Sequence, residues 1–230
     1  MKAYKHIYFD LDKTLWDFEA NVKEAFREIF GSLRLWDRLP DLEHFVNVYS
    51  AYNELLWEKY RNGKIKKSLL RTERFRLTLN KLGINDRLLT EKLSTAYLEI
   101  TPRKSILVDN ALEVLSFLKP KYRLYILTNG FADVQQIKIQ NSGLETFFDK
   151  VITPEHAGWH KPDRRIFGYA LKSVNARKEE SIMVGDDIET DIIGAKNFGI
   201  DQVFFNISGI SHTVDVTYEI RQFKELMDIL

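Results

Sequence analysis

Hydrophobic positions along this chain change period twice. His6-Ile7-Tyr8-Phe9 is a short, β-prone run that ends in Asp10-Leu11-Asp12. That is the signature of a strand whose polar residues begin at its C-terminal end. From Glu19 to Ile100 the spacing becomes helical. Val22, Ala25, Phe26, Ile29 and Phe30 form one stripe, and Phe45, Tyr49, Tyr52, Leu56 and Tyr60 a second. Phe75, Leu79 and Leu82, closed by Gly83, make a third; Leu89, Leu93, Ala96, Tyr97 and Ile100 make a fourth. Four amphipathic helices of this kind predict a small bundle.

After Pro102 short apolar runs alternate with helical stripes. A helix carrying Ala111, Val114, Leu115 and Leu118 leads to a strand over 122–127, and a helix over about 133–142 precedes a strand at 150–152. A helix after Pro162 is followed by a strand at 181–184, a helix over 188–198, strands at 202–205 and 218–220, and a last helix. Such alternation predicts parallel βαβ units with both sheet faces covered. The first strand has no partner in the helical stretch, so it must join the later ones. The expected fold is therefore α/β: a Rossmann-like parallel sheet built from residues 1–15 and 101–230, with a helical-bundle cap domain, 16–100, inserted after the first strand.

Composition removes several function classes. The 230 residues carry 34 Lys+Arg against 33 Asp+Glu, a net charge of +1 that gives no support for a nucleic-acid polymer as partner. With no cysteine, thiolate nucleophiles, disulfides and Cys-ligated metals are out. No apolar run approaches the length of a membrane span, and the N-terminus does not read as a signal peptide, so the expectation is no membrane and a cytoplasmic location.

The candidate chemistry lies in the carboxylates. Asp10 and Asp12 are two apart at a strand end, which in extended backbone puts their side chains on one face. Gly185-Asp186-Asp187-Ile188-Glu189-Thr190-Asp191 follows another apolar strand, and a helix starting there would turn Asp187 and Asp191 the same way. In a parallel sheet both clusters reach the carboxyl edge, where open α/β sheets bind ligands. Any single Asp there also serves as a helix cap; two clusters together need a counter-charge, and an all-oxygen set suits magnesium. Thr128-Asn129-Gly130 follows the 122–127 strand, with Gly130 free to take a positive φ and expose amides to a phosphate. Lys161, before Pro162, offers a positive point charge near the same edge. Taken singly these are a turn and a surface lysine. Together with the carboxylates they suit metal-assisted phosphoryl transfer.

These motifs, in this order, resemble the haloacid dehalogenase superfamily, in its phosphatase branch. Asp10-Leu11-Asp12-Lys13-Thr14 is similar to its first motif, Thr128-Asn129 to its second, Lys161-Pro162 to its third, and Gly185-Asp186-Asp187 with Asp191 to its fourth. The resemblance implies Asp10 as nucleophile and Asp12 as acid and base. It implies Thr128 and the Asn129 amide on phosphate oxygens, with Lys161 offsetting charge. Magnesium would be held by Asp10, the Asp12 carbonyl and Asp186, with Asp187 beside them and Asp191 orienting the others. Thr14, Asn129, Gly130, Trp16 and Phe18 are the expected substrate-binding residues, the two aromatics as stacking surfaces at the site's entrance. The acid/base at Asp12 argues against dehalogenation. Phe9–Phe18 and the segments Leu56-Trp57-Glu58-Lys59-Tyr60 and Gly63-Lys64-Ile65 further resemble pyrimidine 5'-nucleotidases of this superfamily, in which Asp is usual at the position of Lys13. By strand parity Lys13 should have little effect on the chemistry. The implied partner is a small phosphate ester, a nucleoside monophosphate by that resemblance. The alternatives are a phosphoglycolate or sugar-phosphate phosphatase, a phosphomutase, or a non-catalytic interaction protein on the same scaffold.

Overall fold

A computed structural model describes residues 3–230. The chain divides into two compact units, Met1–Phe18 with Ser105–Leu230, and Glu19–Lys104.

The first is α/β. Its elements are β1 (His6–Phe9), α5 (Ala111–Leu118), β2 (Arg123–Leu127), α6 (Ala132–Asn141), β3 (Lys150–Ile152), α7 (Pro154–Ala157), α8 (Arg164–Lys172), β4 (Ser181–Gly185), α9 (Gly194–Phe198), β5 (Asp201–Phe205), β6 (Tyr218–Ile220) and α10 (Leu226–Ile229). The strands form one parallel sheet in the order β3-β2-β1-β4-β5-β6. Alternation along each strand splits the core into two layers, as a period of two requires. Ile7, Phe9, Leu124, Ile126, Ile182 and Val184 face one layer with Val114, Leu115 and Leu118 of α5 and Ile139 of α6. Tyr8, Tyr125, Leu127 and Met183 face the other with Ile166, Phe167 and Ala170 of α8. With both faces covered, the strands read as continuous apolar runs.

The second unit is helical, with α1 (Phe18–Ser32) starting one residue before it, then α2 (Leu42–Arg61), α3 (Lys67–Lys81) and α4 (Arg87–Ile100). Each helix supplies an aromatic ring to one cluster. Phe26 lies 5.0 Å from Phe45, 4.7 Å from Tyr49, 6.4 Å from Phe75 and 5.4 Å from Tyr97, centroid to centroid. Asp41 and Asp86 cap α2 and α4 by accepting from the His44 and Leu89 amides, both at 2.9 Å, and Gly83 follows α3 with φ 79°. Among the described residues no helix is long and apolar enough to cross a membrane.

The chain leaves and rejoins the α/β unit through paired segments. Trp16 bridges Leu107 in antiparallel fashion, and the Val108 amide donates to the Leu15 carbonyl at 2.9 Å.

Candidate active site

The sheet gathers the motifs because β1 lies at its centre. Phe9 pairs with Ile126 on one side and Val184 on the other. The Asp10 amide extends the ladder onto the Val184 carbonyl at 2.9 Å, and the Thr128 amide reaches the Ile152 carbonyl at 3.1 Å. Asp10, Thr128 and Asp186 thus emerge side by side at the carboxyl edge.

Lys161 is the fixed point of the site. Its side chain is 1% exposed, and its ammonium donates to Asp10 Oδ1 at 2.6 Å, Asp191 Oδ1 at 2.5 Å and the Leu127 carbonyl at 2.7 Å, using all three protons. Asn129 holds its backbone from both sides: Nδ2 donates to the Lys161 carbonyl at 3.0 Å, and Oδ1 accepts from the Lys161 amide at 2.8 Å. The Asn129 side chain is thus committed to Lys161, which leaves its backbone amide as the group expected on the phosphate.

Several expectations need correction. The strand ends at Phe9, so the parity argument for Asp10 and Asp12 does not apply. The chain turns instead, with the Trp16 amide bonded to the Leu11 carbonyl and Lys13 in the left-handed region at φ 67°. That turn presents Asp12 to α6. It also brings Lys13 into play, because its ammonium pulls the Asp186 carboxyl toward ionisation, an effect parity reasoning discounted. A left-handed residue is cheaper as Gly, Asn or Asp than as Lys. Gly130 has no positive φ; its role is close approach, since a Cβ there would lie 2.1 Å from Gln135 Nε2. Its amide donates to Thr128 Oγ1 at 3.1 Å.

The Thr14 hydroxyl donates to Asp186 Oδ1 at 3.1 Å, so it orients a carboxylate. Trp16 is fully buried in the core and cannot offer a face to a base; Phe18 is partly buried against it, the rings 6.2 Å apart. Residues 188–198 do not form one regular helix. Ile188–Ile193 winds as a π-helix before α9, and Asp187 caps it by accepting from the Glu189 and Thr190 amides at 3.0 and 2.9 Å. Asp187 and Asp191 therefore diverge, and Asp191 turns onto Lys161. Gly185 permits this, because a Cβ there would lie 2.3 Å from Asp191 Oδ2.

Among the described residues, Asp10, Asp186 and Asp191 are the group whose carboxylate oxygens lie within 4.8 Å of one another. Asp191, expected only to orient the others, lies within this group, and Asp187 does not. Three carboxylates against the Lys161 ammonium leave two negative charges in a buried site. Burial raises all three, joined by repulsion from Asp12 on Asp10 and from Asp10 on Asp186 and Asp191, and Asp186 is pushed up to about 7. Lys161 is raised in turn; burial opposes its charge, but Asp10 and Asp191 outweigh that. A divalent cation would remove the excess, and hard oxygen donors fit magnesium.

Two polar residues at the site escape motif reasoning. Gln135 Nε2 donates to Asp12 Oδ2 and to Thr128 Oγ1, both at 2.8 Å, and Lys138 forms an ion pair with Asp12 Oδ1. No pattern in the sequence marks them: α6 buries Gln135 and Lys138 at i, i+3 spacing, positions that read as a solvated face until the burial is seen.

A family model for haloacid dehalogenase-like hydrolases matches residues 4–199. The chain belongs to that family. This hydrolase is 31% identical to pyrimidine 5'-nucleotidase YjjG of Escherichia coli, over 87% of this chain and 85% of that one. It is 34% identical to a glyceraldehyde 3-phosphate phosphatase of Pyrococcus abyssi, over 87% and 81%. The crystal structure of HAD-hydrolase YfnB from Bacillus subtilis, solved with magnesium bound, superposes with a TM-score of 0.88 at 28% identity, covering 99% of both chains.

Proposed function

We propose that this hydrolase cleaves pyrimidine nucleoside 5'-monophosphates through an aspartyl-phosphate intermediate. The observation that carries the chemistry is Asp10, buried and braced by Lys161 beside Asp186 and Asp191. In the first step an Asp10 carboxylate oxygen bonds to phosphorus. The bond from phosphorus to the ester oxygen breaks, and that oxygen keeps the electron pair and takes a proton from Asp12. In the second step water attacks phosphorus and gives its proton to the Asp12 carboxylate. The bond from phosphorus to Asp10 breaks, releasing phosphate and restoring the nucleophile. The Thr128 hydroxyl donates to a phosphate oxygen, while its own oxygen is fixed by Gln135 and Gly130. Lys161 keeps Asp10 oriented and offsets its charge. Magnesium, held by Asp10 and Asp186 with Asp191 behind them, would neutralise phosphate charge that otherwise repels a carboxylate nucleophile.

The nucleotide assignment is supported by the cap-segment resemblance and by two relatives named pyrimidine 5'-nucleotidases, YjjG and Streptococcus pneumoniae PynA, the latter 29% identical over 99% of this chain. A second reading, a sugar-phosphate phosphatase, is favoured by the glyceraldehyde 3-phosphate phosphatases among its relatives. Phosphate release with magnesium from UMP, dUMP, dTMP, purine monophosphates, phosphoglycolate and glyceraldehyde 3-phosphate decides between them. Preference for a sugar phosphate over every nucleotide would overturn the nucleotidase assignment. Asp10→Asn should lower kcat at least about 10³-fold, the scale of losing a nucleophile; near-normal turnover would reject the covalent route.

A further inference from the structure

The geometry points to Lys138 as a positioning residue that, with Gln135, holds the Asp12 carboxylate for proton transfer. The inference rests on the acid/base reading of Asp12 given above. Asp12 lies outside β1, on a turn through a left-handed Lys13, so backbone pairing does not by itself aim its side chain. Two donors from α6 do: Lys138 takes Oδ1 and Gln135 takes Oδ2. With both oxygens engaged, rotation about the side-chain bonds breaks at least one of them. Gln135 also bonds Thr128 Oγ1, so one amide sets both the acid/base group and the hydroxyl expected on the phosphate.

Lys138 is placed at a cost that packing alone does not explain. Its side chain is 6% exposed, whereas that of Asp12 is 28% exposed. Its ammonium lies 4.1 Å from the Trp16 ring centroid and 5.8 Å from that of Phe18. Burying an ammonium costs several kcal/mol before its partners repay it, while a methionine would fill the same space over Trp16 without that cost. The charge is retained where its carboxylate partner stands two residues from the nucleophile. Trp16 acquires a role here as well: its face supports the ammonium.

The test separates proton transfer from general damage. Lys138→Met keeps an unbranched side chain over Trp16 and removes the charge. With UMP, whose leaving oxygen needs a proton, kcat should fall about 10- to 100-fold, the range of a positioned acid or base, with KM within threefold. With p-nitrophenyl phosphate, whose phenolate leaves without a proton, rapid mixing should give a burst of about one nitrophenolate per enzyme at a rate within about threefold of the unaltered protein. Slow turnover should follow, with acid-precipitable phosphoenzyme accumulating, because water attack still needs Asp12. The burst amplitude also counts folded sites. Lys138→Arg, which keeps the charge, should recover several-fold of the loss. Lys138→Leu, which also removes the charge and leaves Gln135 on Thr128, should show the same split, and it carries the test if Lys138→Met does not fold. Equal losses in burst and turnover, or no change in either, would overturn the proposal. Asp12→Asn distinguishes the other failure: if it shows no difference between the two esters, the acid/base reading itself is wrong.

Discussion

Asp186 shows how the site's chemistry acts on the stability of the fold. Its carboxyl, ordinarily at 3.8, is pushed up to about 7 by burial and by Asp10 and Asp187, with Lys13 and the Thr14 hydroxyl pulling the other way. A folded-state value above the unfolded one means that the folded protein holds the proton more tightly. That contribution is complete below about pH 4 and is lost as pH rises through 7. Asp10 and Asp191 are raised as well and act in the same sense. The raised Lys161 stays protonated throughout this window. Without divalent cations, the thermal midpoint should therefore fall between pH 5 and pH 8. Saturating magnesium should cancel most of the fall, because the cation replaces protons as counter-charge. Differential scanning fluorimetry across that range, with and without magnesium, checks this; a midpoint that magnesium leaves unmoved at pH 8 would contradict the charge balance described for the site.

Among the elements, the β4 end and the π-helical turn after it tolerate little added volume. A Cβ at Gly185 would sit 2.3 Å from Asp191 Oδ2, so Gly185→Ala must push Asp191 off Lys161. Overpacking of this kind costs roughly 1–3 kcal/mol, or about 2–12 °C in a chain of this size. We expect that drop in Tm together with a loss of kcat above tenfold; a Tm loss with kcat intact would show that Asp191 can move without consequence. The same segment marks where sequence patterns stop being informative. Strands and helices were legible because buried parallel strands are continuously apolar and the bundle helices have one wet face. Asp10 and Asp186 were legible because each stands at the end of an apolar run, and Lys161 because it stands directly before a proline. The π-winding was not, since i→i+5 bonding leaves no hydropathy signature, and it alone decides that Asp191 rather than Asp187 joins the trio. Gln135 and Lys138 were hidden for another reason: a polar residue on a helix reads as solvated until its burial is known.

For the whole molecule, the pairing of Trp16 with Leu107 brings together, within the α/β unit, the segments from which the chain leaves it and to which it returns. Replacing 19–104 with a short Gly/Ser linker should leave the parallel sheet folded, as judged by circular dichroism and a cooperative melt. A shortened chain that collapses would show that the α/β unit needs the insertion. The central position of β1 also has a consequence in time. It precedes every other strand of its sheet, yet its neighbours come from far downstream: Lys5 bonds Glu180, 175 residues later. At elongation rates of about 5–20 residues per second, an apolar strand stays without its β4 partner for roughly 10–35 s. The four local helices of 19–104 emerge meanwhile and have low contact order, which favours fast folding. The nucleophile is thus translated ahead of both strands that flank it and set only once they arrive, and the exposed strand is where a chaperone would act during synthesis.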